Sequence, residues 1–255
     1  MALRRSRRYH VIGIGRNPDS LKKALRLGAV DAWSQDFSSI KKADIVVIAT
    51  PVSSIVENVR VISKFLKRGA VITDAGSVKG AILKKLSKSL DFVGAHPIAG
   101  SHKTGVSFAR ADLFKKAICV IVPSDQRNTD IVSAMWRTVG AIPVYMRMDD
   151  HDQVVALISH LPHVLAHAMV QTVMKDKKEK VLRRLLAGSF RDVTRVASSD
   201  ADQWASILNT NANFVKKSIH KFIQEMNHLE RKIGTPSLAP YLRKSQKYRE
   251  PLFQS

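Results

Sequence analysis

Three features of the sequence predict an α/β domain built on a buried parallel sheet, followed by an all-α domain. Short apolar runs alternate with amphipathic stretches up to about Met148, the strand signal disappears after Asp149, and the residues just past the apolar runs are small, polar or glycine-rich. The expected boundaries are 1–148 for the sheet domain, 149–235 for the helical domain, and 236–255 for a loose basic tail with three prolines.

Each element has its own warrant. Residues 10–14, 44–49, 70–74, 92–94 and 117–122 are β-branched and apolar on both faces, as strands covered on both sides of a parallel sheet are. Residues 20–27, 53–66 and 78–86 read as the helices between them, and repeated strand, helix, strand implies right-handed crossovers. Residues 151–175, 179–186 and 202–232 read as helices of the second domain, with Gly188 as a break and Gly234-Thr235-Pro236 as a stop.

Composition narrows the function. At 255 residues with 45% hydrophobic and 25% charged residues, the chain can bury a sizeable core and is neither disordered nor fibrous. No uninterrupted apolar run approaches the roughly 18 residues of a membrane span. The basic start has no apolar core behind it to make a secretory signal. The single cysteine, Cys119, has no partner for an internal disulfide, so a reducing cytoplasm is the expected compartment. The net charge of +21 fits a nucleic-acid binder, an enzyme for anionic small molecules or a generally basic proteome. Most of the excess is dispersed and no basic stretch is interleaved with stacking aromatics, so neither a nucleic-acid groove nor a membrane partner is expected.

Ligands of an open parallel sheet sit beyond the carboxyl ends of its strands. The residues there are Gly15-Arg16-Asn17, Thr50-Pro51-Val52, Asp74-Ala75-Gly76-Ser77-Val78-Lys79 and His96-Pro97-Ile98-Ala99-Gly100. Turn formation explains any one of these sets. Four on one rim point to a binding edge.

The motifs Asp74-Ala75-Gly76-Ser77-Val78-Lys79, Gly94-Ala95-His96-Pro97-Ile98-Ala99-Gly100, Ser159-His160-Leu161-Pro162-His163 and Phe190-Arg191-Asp192-Val193-Thr194-Arg195-Val196-Ala197 occur in one order. In order and spacing they resemble the prephenate and arogenate dehydrogenases, over residues 10–233. The resemblance implies a Rossmann-like NAD(P)-binding domain and a helical domain through which two subunits dimerise. It also implies NAD- or NADP-dependent oxidative decarboxylation of prephenate or arogenate in tyrosine biosynthesis. A nonenzymatic remnant or regulatory dimer that has lost dinucleotide binding is the alternative, and a basic nucleic-acid-binding protein a third reading.

The substrate class is a cyclohexadienol bearing a ring carboxylate. Loss of hydride from the carbinol carbon and of the hydroxyl proton lets the ring expel carbon dioxide and become aromatic. His96 is the expected base at that hydroxyl, with Ser77 orienting it, capping the helix that follows, or both. The resemblance places Arg195 on the substrate carboxylate and His160 beside the substrate, while Arg191 is either its support or an exposed arginine. Trp204 resembles a residue near the substrate mouth, although a core or interface tryptophan reads the same way. Lys79 either steers anions or is a solvated lysine. His160, His163 and His167 raise the question of a metal, but Pro162 interrupts the helix and no Cys or Glu nearby completes a ligand set, so no metal is expected. His163 and His167 are read as packing residues or as contacts to the partner helix.

Two departures from the family pattern stand out. Ser101-His102-Lys103-Thr104-Gly105 replaces Thr-Glu-Lys-Ser-Gly, putting His102 where the family has an acid. Gly13-x-Gly15 followed by Pro18 resembles the family's second strand and its turn rather than a Gly-x-Gly-x-x-Gly phosphate loop. A complete member would need roughly 20 to 30 more residues upstream, one strand-loop-helix element. The expected dinucleotide contacts are therefore Arg16, Thr50, Pro51, Gly76 and Ser77. Gly15 stands where NAD enzymes carry an acid, and Arg16 after it could pair with a 2′-phosphate, so NADP is expected to be preferred or both cofactors accepted.

Overall fold

The apolar runs pair as strands in the computed structural model, which describes residues 1–86, 90–100 and 105–253. Two sheets form among these residues. β1 (Ile12–Ile14) pairs in parallel with β2 (Ala32–Ser34). β3 (Ile45–Ile48), β4 (Val71–Asp74), β5 (Phe92–Pro97), β6 (Ile118–Val122) and β7 (Ile142–Tyr145) make up the second sheet in that order. β3, β4 and β5 are mutually parallel, as are β6 and β7, but β6 runs antiparallel to β5. The expectation that 117–122 joins as another parallel strand is thus corrected. Residues 98–117 contain, among the described residues, only a short 3-10 turn (Val106–Phe108), whereas a parallel return needs a crossover of a dozen or more residues, usually a helix.

Helices cover both faces of the larger sheet. Among α1 (Ala2–Arg5), α2 (Pro18–Arg26), α3 (Ile55–Ile62), α4 (Gly80–Leu83) and α5 (Gln126–Thr138), the covering is done chiefly by α3 and α5. α3 buries Ile55, Val59 and Ile62, spaced four and three apart, in a core with Ile48, Val52, Ile72 and Phe92. α5 buries Val132, Met135 and Trp136 against Val71, Val93, Cys119 and Ile121 on the other face. Residues of β4 are fully enclosed. The carboxyl ends of β4 and β5 therefore emerge from the best-packed part of the molecule.

The second half is helical: α6 (Met148–Val155), α7 (Leu161–Met174), α8 (Glu179–Leu185), α9 (Gly188–Thr194), α10 (Ala201–Thr210), α11 (Ala212–Glu230) and α12 (Leu238–Arg249). A π-helical turn, Ala156–His160, joins α6 to α7 into a 27-residue rod over Met148–Met174. Pro162 gives the physical reason: it has no N–H for the carbonyl four residues back, so the ladder there must change register. That rod is long and apolar enough to cross a bilayer by length and composition. Counting uninterrupted apolar runs passes over it, because Asp152 and the histidines punctuate it. It buries His151, Asp152 and His160 inside the protein. The tail expected to be loose carries α12, whose Tyr241 hydroxyl donates to Glu225 of α11 at 2.5 Å.

The two halves share one core. Ile207 of α10 is buried in the cluster of Ile48, Val52 and Ile55, and Ser53 N–H donates to Ser206 Oγ at 3.2 Å.

Candidate active site

The site begins with a buried ion pair. Asp74 ends β4 and Lys79 lies five residues on, both fully enclosed. Lys79 Nζ contacts Asp74 Oδ2 and donates to the Ala95 carbonyl at 2.8 Å. Asp74 also accepts from Gly76 N–H and Ala95 N–H, each at 3.0 Å. Burial pulls the Lys79 ammonium below its ordinary value, and the Asp74 carboxylate opposes that shift. Lys79 is thus neither solvated nor available to steer anions; it locks the turn after β4 to β5, one residue before His96. Gly76 is part of the lock, since a Cβ there would lie 2.7 Å from Ile55 Cδ1 and 2.9 Å from Asp74 Oδ2.

His96, half-buried near the end of β5, reaches across to the helical half. Its Nδ1 lies 2.9 Å from His151 Nε2, and His151 Nδ1 lies 2.8 Å from Asp152 Oδ1. Asp152 also receives Lys79 N–H on Oδ1 and Gly80 N–H on Oδ2, each at 2.8 Å. The contact to the His96 ring is thus made by His151 and the N–H groups that open α4 are met by Asp152; among the described residues the Ser77 side chain makes no hydrogen bond. His96 is held well below the ordinary histidine value of 6.5, first by burial, then by His151, Lys79 and His160. It is a neutral imidazole at pH 7.

A second group of side chains continues from Asp152. Asn211 Nδ2 donates to the Asp152 carbonyl at 2.8 Å and lies 3.2 Å from His160 Nδ1. His160 is 1% exposed, and its ring meets Trp204 edge-on, centroids 6.0 Å apart. Its Nδ1 is held on the Asp152–Asn211 network. Trp204 stacks on His163 at 3.3 Å between centroids. His163 Nδ1 is buried and, among the described residues, without a hydrogen-bond partner. Burial first, then His167 and Arg195, lower His163 to about 4. Arg195 follows α9, exposed, and makes no ion pair among the described residues. Arg191 is exposed, 4.0 Å from the Asp192 carboxylate. Among the described residues no group of three or more His, Cys, Asp or Glu converges as a metal would require. Cys119, in β6 beside Pro97 of β5, is buried and pushed up to about 12, chiefly by that burial, so it is a neutral thiol.

The remaining rim residues bear on a dinucleotide. Thr50 and Pro51 are exposed past β3, with Thr50 Oγ1 fixed by Asn58 Nδ2 at 2.9 Å. Ser77 is half-buried and Gly76 buried in the turn after β4. Arg16 stands exposed past β1, its guanidinium unpaired among the described residues, and fits an anionic adenosine end. The turn between them is no phosphate cradle: the first N–H groups of α2, from Asp19 and Ser20, are taken by Asn17 Oδ1 at 2.9 and 3.0 Å. His102 lies outside the described residues.

Comparison with known proteins completes the picture. The family model described as prephenate dehydrogenase, nucleotide-binding domain, matches residues 1–145, and that of the prephenate dehydrogenase dimerization domain matches residues 147–245. The chain belongs to the prephenate dehydrogenase family. It is 32% identical over 255 residues to prephenate dehydrogenase of Bacillus subtilis, covering 95% of this chain and 69% of that one. Among solved structures of prephenate dehydrogenases, that from Aquifex aeolicus in complex with hydroxyphenyl propionate and NAD+ superposes with a TM-score of 0.92. The identity is 32%, over 98% of this chain and 92% of that one. Synechocystis arogenate dehydrogenase gives a TM-score of 0.85 at 29% identity, over 98% and 94%.

Within this prephenate dehydrogenase fold, His151, Asp152 and Asn211 were not singled out from sequence, and Asp74 was placed on the rim without its buried partner Lys79. The run Asp149-Asp150-His151-Asp152 was the available signal: acids beside a histidine at a helix start that also opens the second domain.

Proposed function

We propose that this chain catalyses NAD(P)-dependent oxidative decarboxylation of prephenate to 4-hydroxyphenylpyruvate, or of arogenate to tyrosine. The observation that carries the reading is His96, near the carboxyl end of β5, with its Nδ1 tied to His151 of the helical half and its imidazole kept neutral by burial. Bound NAD(P) supplies the acceptor for the hydride. His96 Nε2 accepts the ring hydroxyl proton as the hydride departs, and carbon dioxide loss restores aromaticity. Arg195 pairs with a substrate carboxylate through its two-pronged donor face. Trp204 and the stacked His163 form an aromatic wall against the ring. The test is direct: with the full chain, either substrate should yield NAD(P)H and carbon dioxide in equal amounts. Dinucleotide reduction with neither would overturn the reading.

Two variants separate the binding roles. Arg195→Ala should raise KM about 10-fold or more with a smaller change in kcat, because a charge-assisted pair held in ground and transition states alike is lost. An unchanged KM would remove Arg195 from substrate binding. Arg16→Ala should weaken NADP much more than NAD, measured by fluorescence titration; equal losses would dismiss Arg16 as the 2′-phosphate partner.

The same reading includes a homodimer formed through the helical half and a cytoplasmic location. Supporting the first, α8, α9 and α11 leave Leu185, Val193, Ile223 and Met226 exposed in the segment that matches the dimerization model.

A further inference from the structure

The contacts behind His96 determine which of its nitrogens can take a proton. The Asp152 carboxylate faces three N–H groups, those of Lys79, Gly80 and the His151 ring, and is an acceptor toward all of them. His151 therefore donates from Nδ1. A neutral His151 has only a lone pair left at Nε2, so the 2.9 Å contact must be a hydrogen bond donated by His96 Nδ1–H. That leaves His96 with an open lone pair at Nε2. Were His151 instead an imidazolium, it would donate to both neighbours, and His96 would present an N–H unable to accept a proton.

We propose that His151 and Asp152 are positioning residues that hold His96 in its Nδ1–H tautomer, so that the helical half sets the base carried by the sheet half. The inference deepens the reading of His96 as base and rests on it for its catalytic consequence. In the reaction the substrate O–H bond breaks and an Nε2–H bond forms on His96. The resulting imidazolium keeps its Nδ1–H on His151, and no second proton moves. Fixing a tautomer through the far ring nitrogen is a general device for histidines in catalysis and metal binding.

Long-range 1H–15N spectra of the full chain labelled with [15N]histidine test this without substrate or dinucleotide, the His96 signals being those lost in His96→Asn. At pH 7 His96 should show a protonated Nδ1 and an unprotonated Nε2. His151→Leu should release it toward the Nε2–H form and lower kcat about 10- to 100-fold with little change in KM. His151→Gln, whose side-chain oxygen can accept the same bond, should recover the tautomer and most of the turnover. A protonated Nε2 in the parent chain, or an unchanged tautomer in His151→Leu, would overturn the proposal. If His151→Leu does not fold, the parent spectrum and the His151→Gln comparison still decide it. The catalytic reading fails separately, if His96→Asn keeps its turnover while the tautomer is as expected.

Discussion

Exchanging His96 for asparagine should lower kcat by roughly 100- to 10,000-fold, the usual range for loss of a general base. Asparagine retains hydrogen-bonding capacity but cannot take up a proton near neutral pH. Dinucleotide affinity should stay within about 2-fold, because the group removed acts on the substrate hydroxyl. The pH profile of the parent enzyme carries the same information. Catalysis needs the neutral imidazole, and His96 titrates well below 6.5, so kcat/KM should hold its plateau down through pH 6.5 and fall only on further acidification. In His96→Asn that acid limb should vanish. Turnover close to that of the parent chain would take His96 out of the chemistry.

Lys79→Met should cost about 3–5 kcal/mol of stability, a drop in Tm of about 6–20 °C for a chain of this size. Lys79 and Asp74 are both enclosed, and removing the ammonium strands a carboxylate that only two backbone N–H groups still serve. The double variant Asp74→Asn/Lys79→Met should be more stable than the single one, since the stranded charge is gone although some hydrogen bonds remain suboptimal. Denaturant unfolding measures both. A loss under about 1 kcal/mol in Lys79→Met would show that the pair contributes little.

Much of this architecture is written in local pattern. Runs such as 44–49 and 70–74 announce buried parallel strands because both faces are apolar, and the break near residue 148 is a plain change of period. What escaped depended on distance or brevity. β2 is Ala32-Trp33-Ser34, too short for any periodicity, and β7 carries Pro143, which argues locally against a strand. Lys79 read as a surface lysine because nothing nearby in sequence says that Asp74 will be turned inward to meet it. His96 was legible from its motif and its place after a strand. Its partner His151 is 55 residues away, and no spacing rule connects them. The burial of His160 and the partial exposure of His163 were hidden for a similar reason. Which of two histidines on one helix faces inward depends on the register change at Ala156–His160, and a regular helical wheel does not contain it.

The shared packing around Ile207 bears on how such a protein can change over evolutionary time. Sequence pattern divides the chain into a cofactor half and a substrate half, as though each could be exchanged for another version. Yet Ile207 completes the interior of the first half, and Asp152 receives the N–H groups that open α4. A helical half transplanted from a distant relative would arrive with a differently shaped plug. The host would then lose both its interior and the scaffold of its base at once. Substitutions at Ile48, Val52 and Ile55 on one side and Ile207 on the other are therefore expected to drift together, so that the seam, more than either half, is the unit that descends intact.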